Sequence, residues 1–225
     1  DWTLRDVLFG SLWFLALFQI IPLPFVLPFA VAGTESELFF GASLVAGMGA
    51  DIGLIVVAVF FTFRKYGGGW ARLGLHAPTW WTLWWGLGAF VAAFALAAAY
   101  GGIIDWFDIG ALRSQCDDQI PNEVLDSTVL MAITGVIVIG FAPVCEEVFF
   151  RGFIFPGMAK GWGVVAAIFI SGLVFSAGHI SLALHKTLVP ILIIGAVFAA
   201  VYYKSGNIFS TMLAHLLFNT IAFVG

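Results

Sequence analysis

Long apolar segments alternate with short polar ones along almost the whole chain. A helix needs about 20 apolar residues to cross the hydrocarbon core of a bilayer, and seven stretches approach or exceed that length. They lie at about residues 7–30, 38–63, 80–104, 127–150, 163–183, 187–203 and 207–225. The pattern predicts an all-α, multi-pass transmembrane helical bundle of about seven spans.

Composition strengthens this interpretation and excludes other classes. The chain is 62% hydrophobic and only 10% charged, far from the balance of a soluble domain. No feature suggests nucleic-acid binding, and the chain is expected to be surrounded by a lipid bilayer. The first apolar segment is too long and too rich in proline for a signal-peptide core, so we expect a retained span. Cys116 and Cys145 are predicted at different depths, so no disulfide between them is expected.

Basic residues are divided unequally between the two predicted membrane faces. Six fall on the side of the N-terminus, namely Arg5, Arg64, Lys65, Arg72, Lys160 and Lys204, against Arg113 and Lys186 on the other side. By the positive-inside rule the N-terminus is cytoplasmic. Short loops and a composition rich in Trp, Gly and Ala favour the cell membrane of a prokaryote.

Two adjacent glutamates and an arginine interrupt the fourth apolar segment. Charged groups at membrane depth cost roughly 2.5–3.5 kcal/mol each on insertion scales, so they usually face a cavity and serve a function there. Residues four apart share a helix face, so Glu147 is predicted to pair with Arg151. Glu146 is turned by about 100° and is expected to face His179 as a general base. The alternative is a charge-balanced anchor at the membrane edge. Glu146 lies nearer mid-membrane if the helix runs on to about Lys160.

Two further pairs of residues four apart bring polar groups to one helix face each. His215 and Asn219 offer an imidazole and an amide, the kinds of group that donate hydrogen bonds to an oxyanion. Phe175 and His179 also share a face. The alternative is that either histidine is only an interhelical hydrogen-bond partner. His76 and His185 lie in predicted loops and receive no function, and Asp51 on the second span remains unassigned.

Other intramembrane hydrolase chemistries lack their residues in this chain. There is no HExxH for a zinc site. In GMGAD at 47–51 the aspartate comes one residue too late for the GxGD pattern of aspartyl intramembrane proteases. GASL at 41–44 lacks the second glycine of the rhomboid-like GxSG pattern. What remains is water activated by a glutamate and a histidine, with a histidine and an asparagine holding the oxyanion. This chemistry needs no cofactor and no metal.

The motifs EExxxR (Glu146, Glu147, Arg151), FxxxH (Phe175, His179) and HxxxN (His215, Asn219) occur in that order on successive segments. In this they resemble the CAAX-processing and bacteriocin-processing enzymes, the membrane-embedded glutamate proteases that include the CAAX prenyl endopeptidase. The resemblance implies a catalytic core at about residues 127–225, preceded by N-terminal spans and a polar extracytoplasmic loop at 1–126 in one membrane domain. It also implies an intramembrane cavity that opens to the cytoplasm, with Glu146 and His179 activating water and His215 with Asn219 as the oxyanion site.

The resemblance leaves the substrate open. Members of the family either remove residues after a prenylated cysteine or are linked to peptide maturation, bacteriocin immunity and scaffolding. A non-catalytic membrane scaffold or immunity protein is therefore the main alternative to a peptidase acting on a peptide or lipidated protein. A transporter with broken helices would fit Pro143 and Asp51, but the sequence lacks the two related repeats of that class.

The predicted orientation can be tested by thiol labelling in intact cells. A membrane-impermeant thiol reagent should label Cys116 from outside, whereas a cysteine introduced by Lys65→Cys should stay unlabelled until the membrane is permeabilised. Labelling of the Lys65→Cys variant from outside, with Cys116 protected, would reverse the orientation.

Overall fold

The computed structural model describes residues 2–20, 23–24, 27–28, 37–112, 122–179 and 188–224. These residues form helices and contain no strand, so the predicted all-α bundle is confirmed. The long helices are α1 (Leu4–Ile20), α2 (Glu37–Val59, continued by a π-helical turn at Phe60–Arg64), α3 (Trp80–Trp106), α4 (Thr128–Trp162), α5 (Val164–Gly178), α6 (Leu188–Ser205) and α7 (Ile208–Val224). Short helical turns lie at Trp70–Leu73, Gly110–Leu112 and Asn122–Leu125.

Four of these helices are individually long and apolar enough to cross a membrane. They are Leu38–Arg64 within α2, α3, α4 and α6, while α5 and α7 are shorter apolar helices. The structure thus supports a multi-pass membrane protein. The later part of the predicted first span, the end of the predicted fifth span, and Arg113, Cys116, His185 and Lys186 fall wholly or partly outside the described residues.

Helix α4 is longer than its hydrophobic pattern predicted. The span was predicted to end at about residue 150, with a continuation of the helix to about Lys160 as the alternative; the helix continues to Trp162 and ends at Gly163, whose φ of 84° only glycine adopts easily. Helical structure continues through Pro143, which lies between two π-helical segments, Val136–Phe141 and Val148–Ile154. Glu146 therefore lies near the middle of a 35-residue helix.

Helix α4 occupies the centre of the bundle. It packs against α1 and α2 on one side and against α5, α6 and α7 on the other, while α3 covers α6 and α7. Aromatic side chains of its second π segment fill the core beside α1 and α2. Phe153 stacks on Phe61 of α2, and Phe149 and Phe150 contact Phe14 of α1. This packing fixes the segment that follows the two glutamates.

A polar contact at the start of α1 ties this helix to the end of α2. The buried carboxylate of Asp6 accepts hydrogen bonds from Thr3, Lys65 and Tyr66. Burial by itself raises the pKa of Asp6, but these hydrogen bonds outweigh it and hold the pKa well below its usual range. A carboxyl with a depressed folded-state pKa stabilises the fold at neutral pH and loses that contribution only on strong acidification.

The closest helix contact next to the polar residues joins α5 and α6 through two glycines. A Cβ at Gly172 would lie 2.9 Å from the backbone nitrogen of Ala196, and one at Gly195 would lie 3.0 Å from Cα of Gly172. Small residues let membrane helices approach in this way. The contact brings the helix that ends at His179 against the helix that contains Gly195.

We expect Gly172→Ala to lower the thermal stability of the purified protein, because the new methyl group meets backbone that cannot move aside. Overpacking of this kind typically costs about 1–3 kcal/mol. The matched control is Gly102→Ala on α3, where an added Cβ meets no atom within 4 Å. Equal thermal unfolding of the two variants in detergent would contradict the close α5–α6 packing.

Candidate active site

The central feature of the site is an ion pair within α4. Arg151 Nη1 lies 2.9 Å from Glu147 Oε1, and both side chains are fully buried. The pair spans one helical turn, so the contact predicted from the spacing of the two residues is confirmed. A buried carboxylate and guanidinium are tolerated in an apolar interior only when each compensates the other.

Two neighbouring helices, α5 and α6, complete the surroundings of Arg151. Its Nη2 donates a hydrogen bond to the backbone carbonyl of Gly195 on α6, at 3.2 Å. Its guanidinium lies 4.5 Å from the ring centroid of Phe175 on α5 and 5.4 Å from that of Phe198 on α6. Sequence reasoning missed Gly195 and Phe198, since neither belongs to a motif.

Glu147 also orients His215 of α7. The Nδ1 atom of His215 lies 3.0 Å from Glu147 Oε1. A carboxylate paired with arginine only accepts hydrogen bonds, so Nδ1 carries the hydrogen. In the neutral ring Nε2 is then a bare acceptor, and it becomes a donor only when the imidazole is protonated. Glu147 therefore fixes both the orientation and the tautomer of His215.

Glu146 lies opposite two histidine nitrogens. Its Oε2 atom is 4.0 Å from Nε2 of His179 and 3.9 Å from Nε2 of His215. The predicted turn of Glu146 toward His179 is confirmed, and the proximity to His215 was not foreseen. The Oε2 atom has no hydrogen-bond partner among the described residues, in contrast to the paired Oε1 of Glu147. Two adjacent glutamates therefore have different environments.

His179 directly follows the end of α5, and a hydrogen bond holds its ring against that helix. Its Nδ1 lies 2.9 Å from the backbone carbonyl of Phe175. A carbonyl only accepts, so Nδ1 carries the hydrogen and Nε2 presents its lone pair toward Glu146 in the neutral ring. The centroid of the Phe175 ring lies 4.8 Å from that of the His179 ring and 5.7 Å from that of the His215 ring. Phe175 thus separates and orients the two imidazoles.

Asn219 lies one turn after His215 but makes a different contact. Its Nδ2 donates a hydrogen bond of 2.8 Å to the backbone carbonyl of Val138 on α4. One amide hydrogen is thus already used, and the second remains for another acceptor. The structure brings Glu146, His179 and His215 together, whereas Asn219 binds the helix that carries the glutamates.

The polar cluster reaches the surface mainly through two side chains. The side chain of His179 is 34% exposed and that of Glu146 is 15% exposed. Two cavities lie outside this cluster: one of about 300 Å³ is lined in part by His76 and Asn207, and an apolar one of about 320 Å³ is lined in part by Pro143 and Met212. Asp51 on α2 is buried and lies within electrostatic range of Glu146, a proximity that its position in the sequence did not indicate.

Among the described residues, no group of three or more His, Cys, Asp or Glu side chains is arranged to hold a metal ion. The separations from Glu146 to the two histidines instead leave room for one water molecule between hydrogen-bonding partners.

Comparison with known proteins finds a family model that is similar to the part of the chain containing this site. Residues 128–221 match the model of the type II CAAX prenyl endopeptidase Rce1-like family. The resemblance to that family is confirmed over this region. The region matched by the Rce1-like family contains all seven motif residues, from Glu146 to Asn219, and begins with α4.

A bacterial relative agrees with the Rce1-like match. The chain is 30% identical over 142 residues to "Putative membrane peptidase YdiL" of Bacillus subtilis (strain 168). The alignment covers 63% of this chain and 55% of the relative, so the chain spans about half of that protein. No solved structure matches. Both comparisons thus find similarity to membrane peptidases.

Removing one member of the buried ion pair should destabilise the protein more than removing both. Arg151→Met leaves Glu147 charged and unpaired, which typically costs about 3–5 kcal/mol. The double variant Glu147→Gln with Arg151→Met should regain much of that thermal stability without regaining any peptidase activity, because His215 has lost its anionic partner. Thermal unfolding in detergent measures the first effect and a cleavage assay the second.

The control for this series is Arg64→Met, which removes an exposed arginine at the end of α2. Its stability should change by no more than about 0.5 kcal/mol. A double variant as unstable as Arg151→Met alone would contradict the pairing.

Proposed function

We propose that the chain is an intramembrane endopeptidase that hydrolyses a peptide bond of a membrane-associated substrate with water activated by Glu146 and His179. The observation that carries this proposal is the unpartnered Oε2 of Glu146, 4.0 Å from Nε2 of His179. Prenylated CAAX proteins are the first substrate class to test, because of the family match over residues 128–221. The proposed location is the cell membrane, with the N-terminus in the cytoplasm.

The environments of the two glutamates support a division of roles. Glu147 is fixed by Arg151 and His215, so it is poorly placed to exchange a proton. Glu146 has a free acceptor oxygen beside a histidine whose Nε2 also accepts. A water between them donates one hydrogen to each, and this directs an oxygen lone pair toward a substrate carbonyl. Glu146 then takes the proton of the attacking water.

The later steps assign the remaining residues. The tetrahedral intermediate carries negative charge on the former carbonyl oxygen, which needs hydrogen-bond donors. His215, held at Nδ1 by the carboxylate of Glu147, can donate from Nε2 when its ring carries a second proton. Asn219 offers its second amide hydrogen. Glu146 returns its proton to the leaving amine, so the carboxyl acts as base and then as acid without a covalent intermediate.

Replacing Glu146 with glutamine tests this mechanism. Glu146→Gln keeps the size of the side chain but removes the proton acceptor, and loss of a general base typically lowers the rate about 10²–10⁴-fold. Thermal stability should be retained, since Oε2 of Glu146 makes no hydrogen bond among the described residues. The assay is cleavage of a prenylated CAAX peptide, and of its unprenylated counterpart, by purified protein in detergent.

The matched control is Asp126→Asn, the same change from acid to amide at an exposed position before α4. It should keep full activity, and a metal chelator should have little effect on the wild type. Full activity in a folded Glu146→Gln protein would overturn the glutamate mechanism. Activity that is lost with chelator and restored by zinc would replace it with a metal-dependent one.

A further inference from the structure

The backbone carbonyl of Val138, just before the glutamates on α4, lacks its usual helical hydrogen-bond donor. In a helix the carbonyl of Val138 would accept from the N–H of residue 142 in an α turn or of residue 143 in a π turn. The N–H of Ala142 is directed to the carbonyl of Ile137. Residue 143 is proline, which has no N–H. Neither residue thus donates to Val138.

The position of Val138 makes an unpaired carbonyl costly. Val138 lies in the apolar π segment Val136–Phe141 of a membrane-spanning helix, and its side chain is partly exposed on the outside of the bundle. Within the hydrocarbon region there is no water to replace a missing donor, and each unsatisfied backbone group costs several kcal/mol. Asn219 supplies a donor, with its Nδ2 at 2.8 Å.

We propose that Asn219 is a positioning residue whose amide replaces the helical donor that Pro143 removes, so that α7 is held in register with the glutamates of α4. Two adjacent turns of α7 then bind α4 on either side of Pro143. Asn219 binds Val138 before the proline, and His215 binds Glu147 after it. Losing the first contact frees α7 to shift relative to Glu146.

This inference deepens the proposed function, on which its catalytic part rests, and changes what is expected of Asn219. A residue that acts only as an oxyanion donor has no special relation to Pro143. A residue that replaces a missing backbone donor is needed because Pro143 is there. The two roles therefore differ in whether positions 143 and 219 are energetically coupled.

The test is a double-mutant cycle with Pro143→Ala and Asn219→Ala in the full chain in detergent. Alanine at position 143 restores an N–H that can reach the Val138 carbonyl. We expect Asn219→Ala alone to lower the thermal unfolding temperature and to lower kcat/KM about 10²-fold, mainly in kcat, as misplacement of reacting groups does. In the Pro143→Ala background the same change should cost roughly tenfold less activity and much less stability.

The stability cycle is repeated with Glu146→Gln present in every variant, so that it depends on neither catalysis nor the choice of substrate. Coupling between positions 143 and 219 in unfolding temperature supports the positioning role. Equal destabilisation by Asn219→Ala with proline or alanine at 143 overturns it. Failure of the wild type to cleave any test peptide would count against the proposed function alone, because the stability cycle still decides the role of Asn219.

The comparison variant is Thr220→Ala, one residue further along α7. The Thr220 hydroxyl bonds the carbonyl of Leu216 within its own helix and does not reach α4. Its effect on stability should be small and independent of residue 143. Energetic coupling of Thr220 to Pro143 as large as that of Asn219 would show that the effect of any change on α7 depends on residue 143. That result would overturn the specific assignment to Asn219.

Discussion

The buried pair of Glu147 and Arg151 is the interaction on which the rest of the site depends. Both charges lie at the centre of the bundle, and neither side chain is exposed. In such surroundings a lone charge is far more costly than a pair, and the pair itself still needs hydrogen bonds and polarisable neighbours. The carbonyl of Gly195 and the rings of Phe175 and Phe198 supply them.

These neighbours explain how one ion pair organises four helices. Arg151 on α4 contacts Phe175 on α5 and Gly195 on α6, while Glu147 contacts His215 on α7. Each contact fixes the register of one helix against α4. The close glycine approach between α5 and α6 then brings the end of α5, with His179, to Glu146. The relative positions of Glu146 and His179 thus follow from the contacts that compensate the buried charges of Glu147 and Arg151.

The π segments on either side of the glutamates are part of the same arrangement. A π turn widens the helix and changes which side chains share a face, and such turns are frequent at functional sites. The first one accommodates Pro143 and leaves the Val138 carbonyl to Asn219. The second contains Arg151 and the phenylalanines that pack against α1 and α2. The regions outside the family match therefore still support the site, through the aromatic core.

Sequence alone determined the features that depend on neighbouring residues or on composition. Hydrophobic length predicted the helices, and the four-residue spacing predicted the pairing of Glu147 with Arg151 and left Glu146 free to face His179. The sequence left open whether α4 ends near residue 150 or runs on to about Lys160, and the structure shows it continuing to Trp162. Gly157 in this continuation packs against Val7 of α1, a contact that hydropathy does not indicate.

Only the tertiary structure decided which groups meet across helices. Nothing near His215 indicates that its two nitrogens lie between Glu147 and Glu146, and nothing near Asn219 indicates a partner 81 residues away at Val138. Asp51, Gly195 and Phe198 likewise have no local signal. The physical reason is that the register between two membrane helices is set by the sum of many side-chain contacts, in which no single short motif specifies the partner.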